Sequence, residues 1–181
     1  MNDAPIAPDE ELVAAAQRNE SESLSALYER YYDRVYRFAL SKAGNVQDAE
    51  DVAQETFIRM VDKLGAFRWQ GVPFAAWLFR IANNCAIDLH RARRRQQDAL
   101  PMMLDPRTDD PADLAELTLS MEEVTVAMQR LTASQRDVLS LRFGGELSVA
   151  EVAKVLGKAE GTVKATQFQA VQALRQVLGQ A

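Results

Sequence analysis

One cysteine and one histidine are all the soft-metal and thiol chemistry that 181 residues carry. Cys85 has no second thiol for an internal disulfide, and with His90 alone there is no ligand set for a zinc site, so neither a metal nor a cofactor is expected. No nucleophile stands at readable spacing from a base, which argues against an enzyme. No apolar run approaches the ~20 residues of a membrane span, and MNDAPIAPDEE is acidic and polar where a cleaved signal starts basic and turns apolar. The chain is therefore expected in the cytoplasm, away from membranes. Period-two alternation is also missing over any useful length, and with it any strand signal.

What is present is helix. Nearly half the residues are apolar, enough to bury a core, and the net charge of −5 argues against a general polyanion binder. That average conceals a partition. Residues 1–97 hold 13 Lys/Arg against 14 Asp/Glu, residues 98–130 hold 2 against 8, and residues 131–181 hold 6 against 4. The middle block opens QDALPMMLDPRTDDPAD, with three prolines and five aspartates, the composition of an acidic tether between compact units. An all-α chain of two small helical domains joined by an acidic linker follows.

From Ser23, Leu24, Leu27, Tyr28, Tyr31, Val35, Phe38 and Ala39 form an apolar stripe that ends near Gly44. Asn45 then caps a helix with Ala49, Val52, Ala53, Phe57, Met60, Val61 and Leu64 on one face. After the loop FRWQGVP, Pro73 suits the first turn of a third helix, whose buried stripe is Phe74, Leu78, Ile81, Cys85 and Leu89. Cys85 is thus expected to be a packed core thiol. Beyond the linker, Pro111 opens a helix running to Arg130. Thr132 with Gln135 forms a capping box for a short helix ending near Gly144, and Ser148 with Glu151 forms another that Gly157 closes.

EGTVKATQFQAVQALRQ, residues 160–176, follows that glycine, and two short helices about a Gly-containing turn are the layout of a helix-turn-helix. Val149, Val152, Ala153 and Leu156 can pack against Val163, Ala170, Val171 and Leu174. That leaves Lys164, Phe168, Gln172 and Arg175 outward, flanked by Thr162, Ala165 and Gln169. Lys164 and Arg175 can neutralise phosphates, Thr162 can donate to one, and a glutamine such as Gln167 or Gln169 can pair with adenine. The helix holds only two cations in seventeen residues, and a helical hairpin serving purely as core has the same pattern.

HRARRR, residues 90–95, is the densest positive patch. Its surface continues back through Asn84, Arg80 and Trp77 at spacings of three or four, so aromatic, amide and guanidinium groups (Arg91, Arg93, Arg94 and Arg95 among them) come into line. Stacking aromatics beside phosphate-holding cations are what single-stranded nucleic acid requires, and the loop Arg68, Trp69, Gln70, Gly71 projects beside the start of that face. The preceding helix carries Asp48, Asp51, Gln54, Glu55 and Arg59 away from its core stripe, a surface that is either merely solvated or docks a helical partner.

DAEDVAQETFIRM followed by FRWQGVPFAAWLFRIANNCAIDLHRARRR resembles the second conserved domain of bacterial RNA polymerase sigma factors of the short, extracytoplasmic-function type. LTASQRDVLSLRFGGELSVAEVAKVLGKAEGTVK resembles their fourth. The likeness covers about residues 20–97 and 125–178. It implies a core-docking and minus-ten domain over 1–97, an acidic linker over 98–124, and a helix-turn-helix domain over 125–181 that reads the minus-thirty-five element. It further implies that Asp51, Gln54, Glu55 and Arg59 bind the clamp helices of core RNA polymerase. Arg68 to Gly71, Trp77, Arg80, Asn84, Arg91, Arg93, Arg94 and Arg95 would recognise and open the minus-ten element. Thr162, Lys164, Ala165, Gln167, Phe168, Gln169 and Arg175 would meet minus-thirty-five DNA, with the polymerase flap beside them. Promoter DNA, core polymerase and an anti-sigma factor are the implied partners. Where many members continue after Val163 and Lys164 with several arginines, this chain has ATQFQAVQALRQ. A conventional helix-turn-helix regulator with an N-terminal sensing or dimerisation domain would account for residues 148–178, but it gives the Trp77 to Arg95 face no role. An adaptor of two helical bundles would leave Arg91, Arg93 and Arg94 dispensable.

Overall fold

The computed structural model describes residues 7–99, 127, 128 and 130–178. The expected acidic linker and most of the helix expected from Pro111 lie outside the described residues; Ala127 and Met128 are helical. Among the described residues, besides Ala127 and Met128, seven α-helices run in order: α1 Asp9–Gln17, α2 Ser21–Ala43, α3 Val46–Leu64, α4 Phe74–Ala99, α5 Ala133–Leu139, α6 Val149–Leu156 and α7 Glu160–Leu178. The fold is all-helical, as expected, with α1–α4 and α5–α7 as its two helical domains.

The boundaries follow from local chemistry. Gly44 ends α2 in the left-handed conformation, and the Asn45 side chain accepts from the Asp48 backbone N–H to start α3. Both capping boxes form: Thr132 with Gln135 opens α5 and Ser148 with Glu151 opens α6, which closes on left-handed Gly157. Trp77 N–H reaches the Pro73 carbonyl in the first turn of α4.

α1 has no counterpart in the apolar pattern. It is an acidic-headed helix held by distant groups rather than by its own periodicity. Arg30 pairs with Asp9 at 2.6 Å, Tyr31 donates its hydroxyl to the same carboxylate, and Gln17 donates to the Leu64 and Phe67 carbonyls at 2.9 and 3.0 Å. Only Val13, Ala15 and Ala16 of α1 are buried.

Leu27, Tyr31, Val35, Phe38, Ala53, Phe57, Met60, Phe74, Leu78 and Phe79 fill the centre of the N-terminal domain. Cys85 is buried with Ala39, Ala49, Val52 and Ile81, as a core thiol should be. Two stripe positions are corrected. Val61 lies on the exposed edge of α3 at 52% accessibility, and Tyr28 is 44% exposed because it lies across Phe57 rather than beneath it. α5 runs directly into a single π turn, Ser140–Gly144, in which Gly145 N–H bonds back to the Ser140 carbonyl. This turn packs on α2, and Val138, Leu141, Leu147, Val152 and Val155 join the N-terminal residues in one continuous core.

Candidate nucleic-acid interface

The loop between α3 and α4 is organised around Phe67. Its buried ring meets Trp69 edge-on at 5.0 Å, Trp77 at 5.0 Å and Phe74 at 5.7 Å. Trp69 is left 41% exposed and Trp77 half-buried, so each offers part of a ring to solvent from a fixed base. Arg68 donates to the Gly65 and Phe67 carbonyls, folding the loop on itself, and Gly71 takes φ 71°. Gln70 is exposed.

Along α4, Arg80, Asn84, Arg91 and Arg95 are exposed. With about 100° per residue they fall within roughly 60° of Trp77, so the structure brings the aromatic, amide and guanidinium groups to one face. Arg93 does not belong to it. It lies about 160° round the helix from Trp77 and pairs with Asp48, whose carboxylate is 6% exposed and also accepts from the Asn45 amide. Asp48 is thereby corrected too: charge suggested a surface residue, but α3 and α4 bury it as a paired ion. Arg91 and Arg94 turn partly toward the other domain, where they line a cleft of about 360 Å³ with Lys42, His90, Arg136 and Asp137.

Between α3 and α4, next to that face, Asp51, Gln54, Glu55, Ile58 and Arg59 share a groove of about 440 Å³ with Cys85, Asp88 and Leu89. Arg59 donates to Glu55 at 2.6 Å and to Asp88 at 3.1 Å, hydrogen bonds that hold its guanidinium charged still more firmly than usual. Asp51 and Gln54 are exposed beside it, and Ile58 and Val61 add exposed apolar surface, 58% and 52% accessible. Burial pushes the Cys85 thiol beneath this groove upward, which keeps it protonated and unreactive. A groove with an acidic and amide rim beside exposed aliphatic groups is suited to a helical partner rather than to nucleic acid.

In the C-terminal domain α6 and α7 form the helix-turn-helix, with Val152, Ala153, Val155 and Val163 buried. Ala170, Val171 and Leu174 pack elsewhere than expected. They lie against Met128, Leu131 and Leu139, so the second half of α7 rests on α5. Thr162, Lys164, Ala165, Phe168, Gln169, Gln172 and Arg175 are all exposed, Phe168 at 67%. Gln167 is half-buried and accepts from Arg142 Nε at 3.0 Å, which turns it toward the π turn. Arg142, which sequence reasoning passed over, also donates to the Leu147 carbonyl, fastening the π turn to α6 and α7 at once. Its one sequence signal is its place before Phe143–Gly144–Gly145.

Comparison with known proteins agrees with this layout. Residues 27–96 match the family model Sigma-70 region 2, and residues 127–176 match Sigma-70, region 4. The ECF RNA polymerase sigma factor BldN of Streptomyces coelicolor is 39% identical over 171 residues, 93% of this chain; the chain spans 65% of that relative's length. The ECF RNA polymerase sigma factor SigL of Mycobacterium tuberculosis is 32% identical, covering 92% of this chain and 94% of its own. Among solved structures, CnrH in complex with the cytosolic domain of CnrY superposes with a TM-score of 0.73 at 27% identity, covering 94% of this chain and 97% of that one. The sigma factor RpoE of Bartonella quintana, bound to the anti-sigma factor NepR, gives 0.67 at 25% identity over 86% and 96%.

Proposed function

The chain belongs to the ECF RNA polymerase sigma factors, and from that membership we propose that it is a promoter-specificity subunit with no chemistry of its own. It binds core polymerase, recognises the minus-ten and minus-thirty-five elements, and assists promoter opening. The observation that carries this reading is the single face on which Trp69, Trp77, Arg80, Asn84, Arg91 and Arg95 stand, with ring surfaces at one end and cations along the rest. Unpaired bases stack on the rings while the guanidinium groups hold the backbone. Arg93 acts from behind, tied to Asp48, as a positioning residue for the basic end of α4.

In this reading residues 1–97 form the core-docking and minus-ten domain, 98–124 the linker and 125–181 the upstream-reading domain. Asp51, Gln54, Glu55 and Arg59 receive the polymerase clamp helices in the α3–α4 groove, and the flap lies beside α7. A net-acidic chain suits such a role, because the polymerase supplies much of the phosphate-neutralising charge and the sigma subunit has only to set position and read a few base edges. An anti-sigma factor is the natural antagonist, since the similar sigma factor RpoE is bound to the anti-sigma factor NepR in its structure.

The test is reconstitution. Purified protein added to core RNA polymerase and a promoter library should yield transcripts from specific start sites; absence of both core binding and start-site dependence would sink the sigma reading. Gln54→Ala should weaken core binding at least about tenfold, roughly 1.4 kcal/mol, while the far-ultraviolet spectrum stays unchanged. Unaltered core binding by that variant would remove the α3–α4 groove from the proposal.

A further inference from the structure

The positive charge of this chain gathers in one cleft. The whole protein carries a net charge of −5. The cleft of about 360 Å³ beside the basic end of α4, between the last turn of α2 and α5, has the opposite sign. Among the described residues it is lined by Lys42, Arg91, Arg93, Arg94 and Arg136, against the carboxylates of Asp48 and Asp137 alone. Five cations against two anions leave an excess of three positive charges. Low-dielectric walls around such an excess focus its field on whatever enters.

The cations are not equivalent. Arg93 is held by the Asp48 carboxylate and Lys42 by that of Asp137. Arg136 donates to the Met128 and Leu131 carbonyls at 3.1 and 3.2 Å, which fixes its guanidinium. Arg91 and Arg94 are exposed, and their side chains make no hydrogen bond or ion pair with any other described residue. Three residues apart on α4, they stand on neighbouring turns and present two guanidinium forks with donors to spare. A planar fork meets a phosphate through two parallel N–H···O bonds, a geometry that an ammonium group lacks.

The rest of the lining is apolar. Val52 and Ala86 are buried there, and Ile87 and Leu89 are half-buried. A bare inorganic ion has no use for that surface. The cleft's volume of about 360 Å³ also falls inside the ~300–1,000 Å³ of small-molecule sites, which combine an apolar lining with a few convergent polar groups. Guanidinium groups for a multiply charged end and aliphatic groups for a flat ring together match an anion that has both parts.

We propose that this cleft binds a nucleoside di- or triphosphate, with Arg91 and Arg94 on the phosphates, Lys42 and Arg136 adding charge, and the aliphatic side against the base and ribose. The site stands on its own lining and does not need the sigma-factor reading. Its consequence rests on that reading: Arg91 also belongs to the minus-ten face, so a bound nucleotide competes with single-stranded DNA for the same guanidinium. Promoter engagement then responds to nucleotide concentration.

The test turns on the Lys42–Asp137 pair, because two variants break the same bond with opposite consequences for an anion. Lys42→Met takes a positive charge out of the cleft, whereas Asp137→Asn takes out a negative one and releases Lys42. Fluorescence anisotropy of GTP labelled on its ribose, titrated with the full chain, reads the affinity. Lys42→Met should weaken binding about fivefold and Asp137→Asn should tighten it about fivefold, the change that about 1 kcal/mol gives. If the pair matters only for packing, both variants move the same way, and that shared direction would overturn the site. Arg94→Lys, which keeps the charge without the fork, should also weaken binding, while Lys63→Gln, exposed at the far end of α3, should leave it unchanged. Inorganic tripolyphosphate should displace the label at least about tenfold less well than unlabelled GTP, for want of contact with the apolar side; equal displacement would overturn the nucleoside assignment. No binding by wild type at an ionic strength of about 0.15 M would overturn the whole proposal. The competition is read separately, as release of a labelled single-stranded minus-ten oligonucleotide by unlabelled GTP, and GTP that binds without releasing it would overturn the regulatory consequence. Failure of the sigma-factor reading shows elsewhere, as the absence of core-dependent transcription, while the GTP titration still reports on the cleft.

Discussion

Gln167 and Gln169 stand two residues apart on α7, and the structure assigns them different work. Gln169 is exposed on the outer side, whereas Gln167 turns inward to accept from Arg142 at 3.0 Å. Removing Gln167 breaks a hydrogen bond to a charged donor, a contact of about 1.5–3 kcal/mol when well sequestered. Here Arg142 keeps its bond to the Leu147 carbonyl and is itself half-buried, so water partly replaces the lost acceptor and about 1 kcal/mol is expected. For a chain of this size that lowers Tm by about 2–4 °C. Gln167→Ala should therefore shift thermal unfolding and leave base preference intact in binding to upstream promoter duplexes. Gln169→Ala should do the reverse: an unchanged Tm, with roughly fivefold or more lost discrimination at one base pair if its amide reads adenine. The reasoning is refuted if Gln167→Ala keeps its Tm and loses upstream preference, because Gln167 would then be reading DNA rather than orienting Arg142.

Trp69→Ala removes the exposed ring that rests on Phe67, and at about 1–3 kcal/mol per stacked base it should weaken minus-ten oligonucleotide binding roughly 5- to 150-fold; an unchanged Kd by anisotropy would take Trp69 out of the interface. Asn45→Ala removes the cap of α3 and should cost about 1 kcal/mol in urea unfolding, most of it recovered by Asn45→Ser; equal loss in both variants would mean that the Asn45 bond to the Asp48 carboxylate matters more than the cap. Burial raises the pKa of the Cys85 thiol, and burial together with the Asp9 carboxylate raises that of the Tyr31 phenol. The folded state therefore holds both protons to higher pH than the unfolded chain does. Stability should be intact below about pH 8.5 and fall as pH rises toward the raised values. A urea midpoint that is flat or rising between about pH 8 and 10.5 would contradict that sign.

The local grammar of the chain determined most of the helices. Asn45, the two capping boxes and the closing glycines at 44 and 157 act through bonds spanning three or four residues, and apolar positions at helical period mark the face each helix buries. Such signals need no knowledge of the rest of the molecule. The acidic and amide face of α3, the Trp77 to Arg95 line and the outward residues of α7 were legible for the same reason. α1 was not, since its hold on the domain is long-range: Asp9 to Arg30 and Tyr31, Gln17 to the end of α3 and the loop beyond. Asp48 and Arg93 looked like two separate surface charges because each is polar within its own helix, and only the packing of α3 on α4 buries the Asp48 carboxylate and brings the exposed Arg93 onto it. Gln167 belongs with them, sharing the hydrophilic side of α7 while facing Arg142 from a different element.

The placement of one domain on the other had no local signal at all. It depends on Arg34 meeting the Gly145 carbonyl across more than a hundred residues of chain and on two missing Cβ atoms that let a backbone turn lie against Phe38 and Phe79. Sequence determined which helices form and which surfaces they carry. Tertiary structure decided which of those surfaces is covered, because close packing depends on shapes that meet only after both domains have folded.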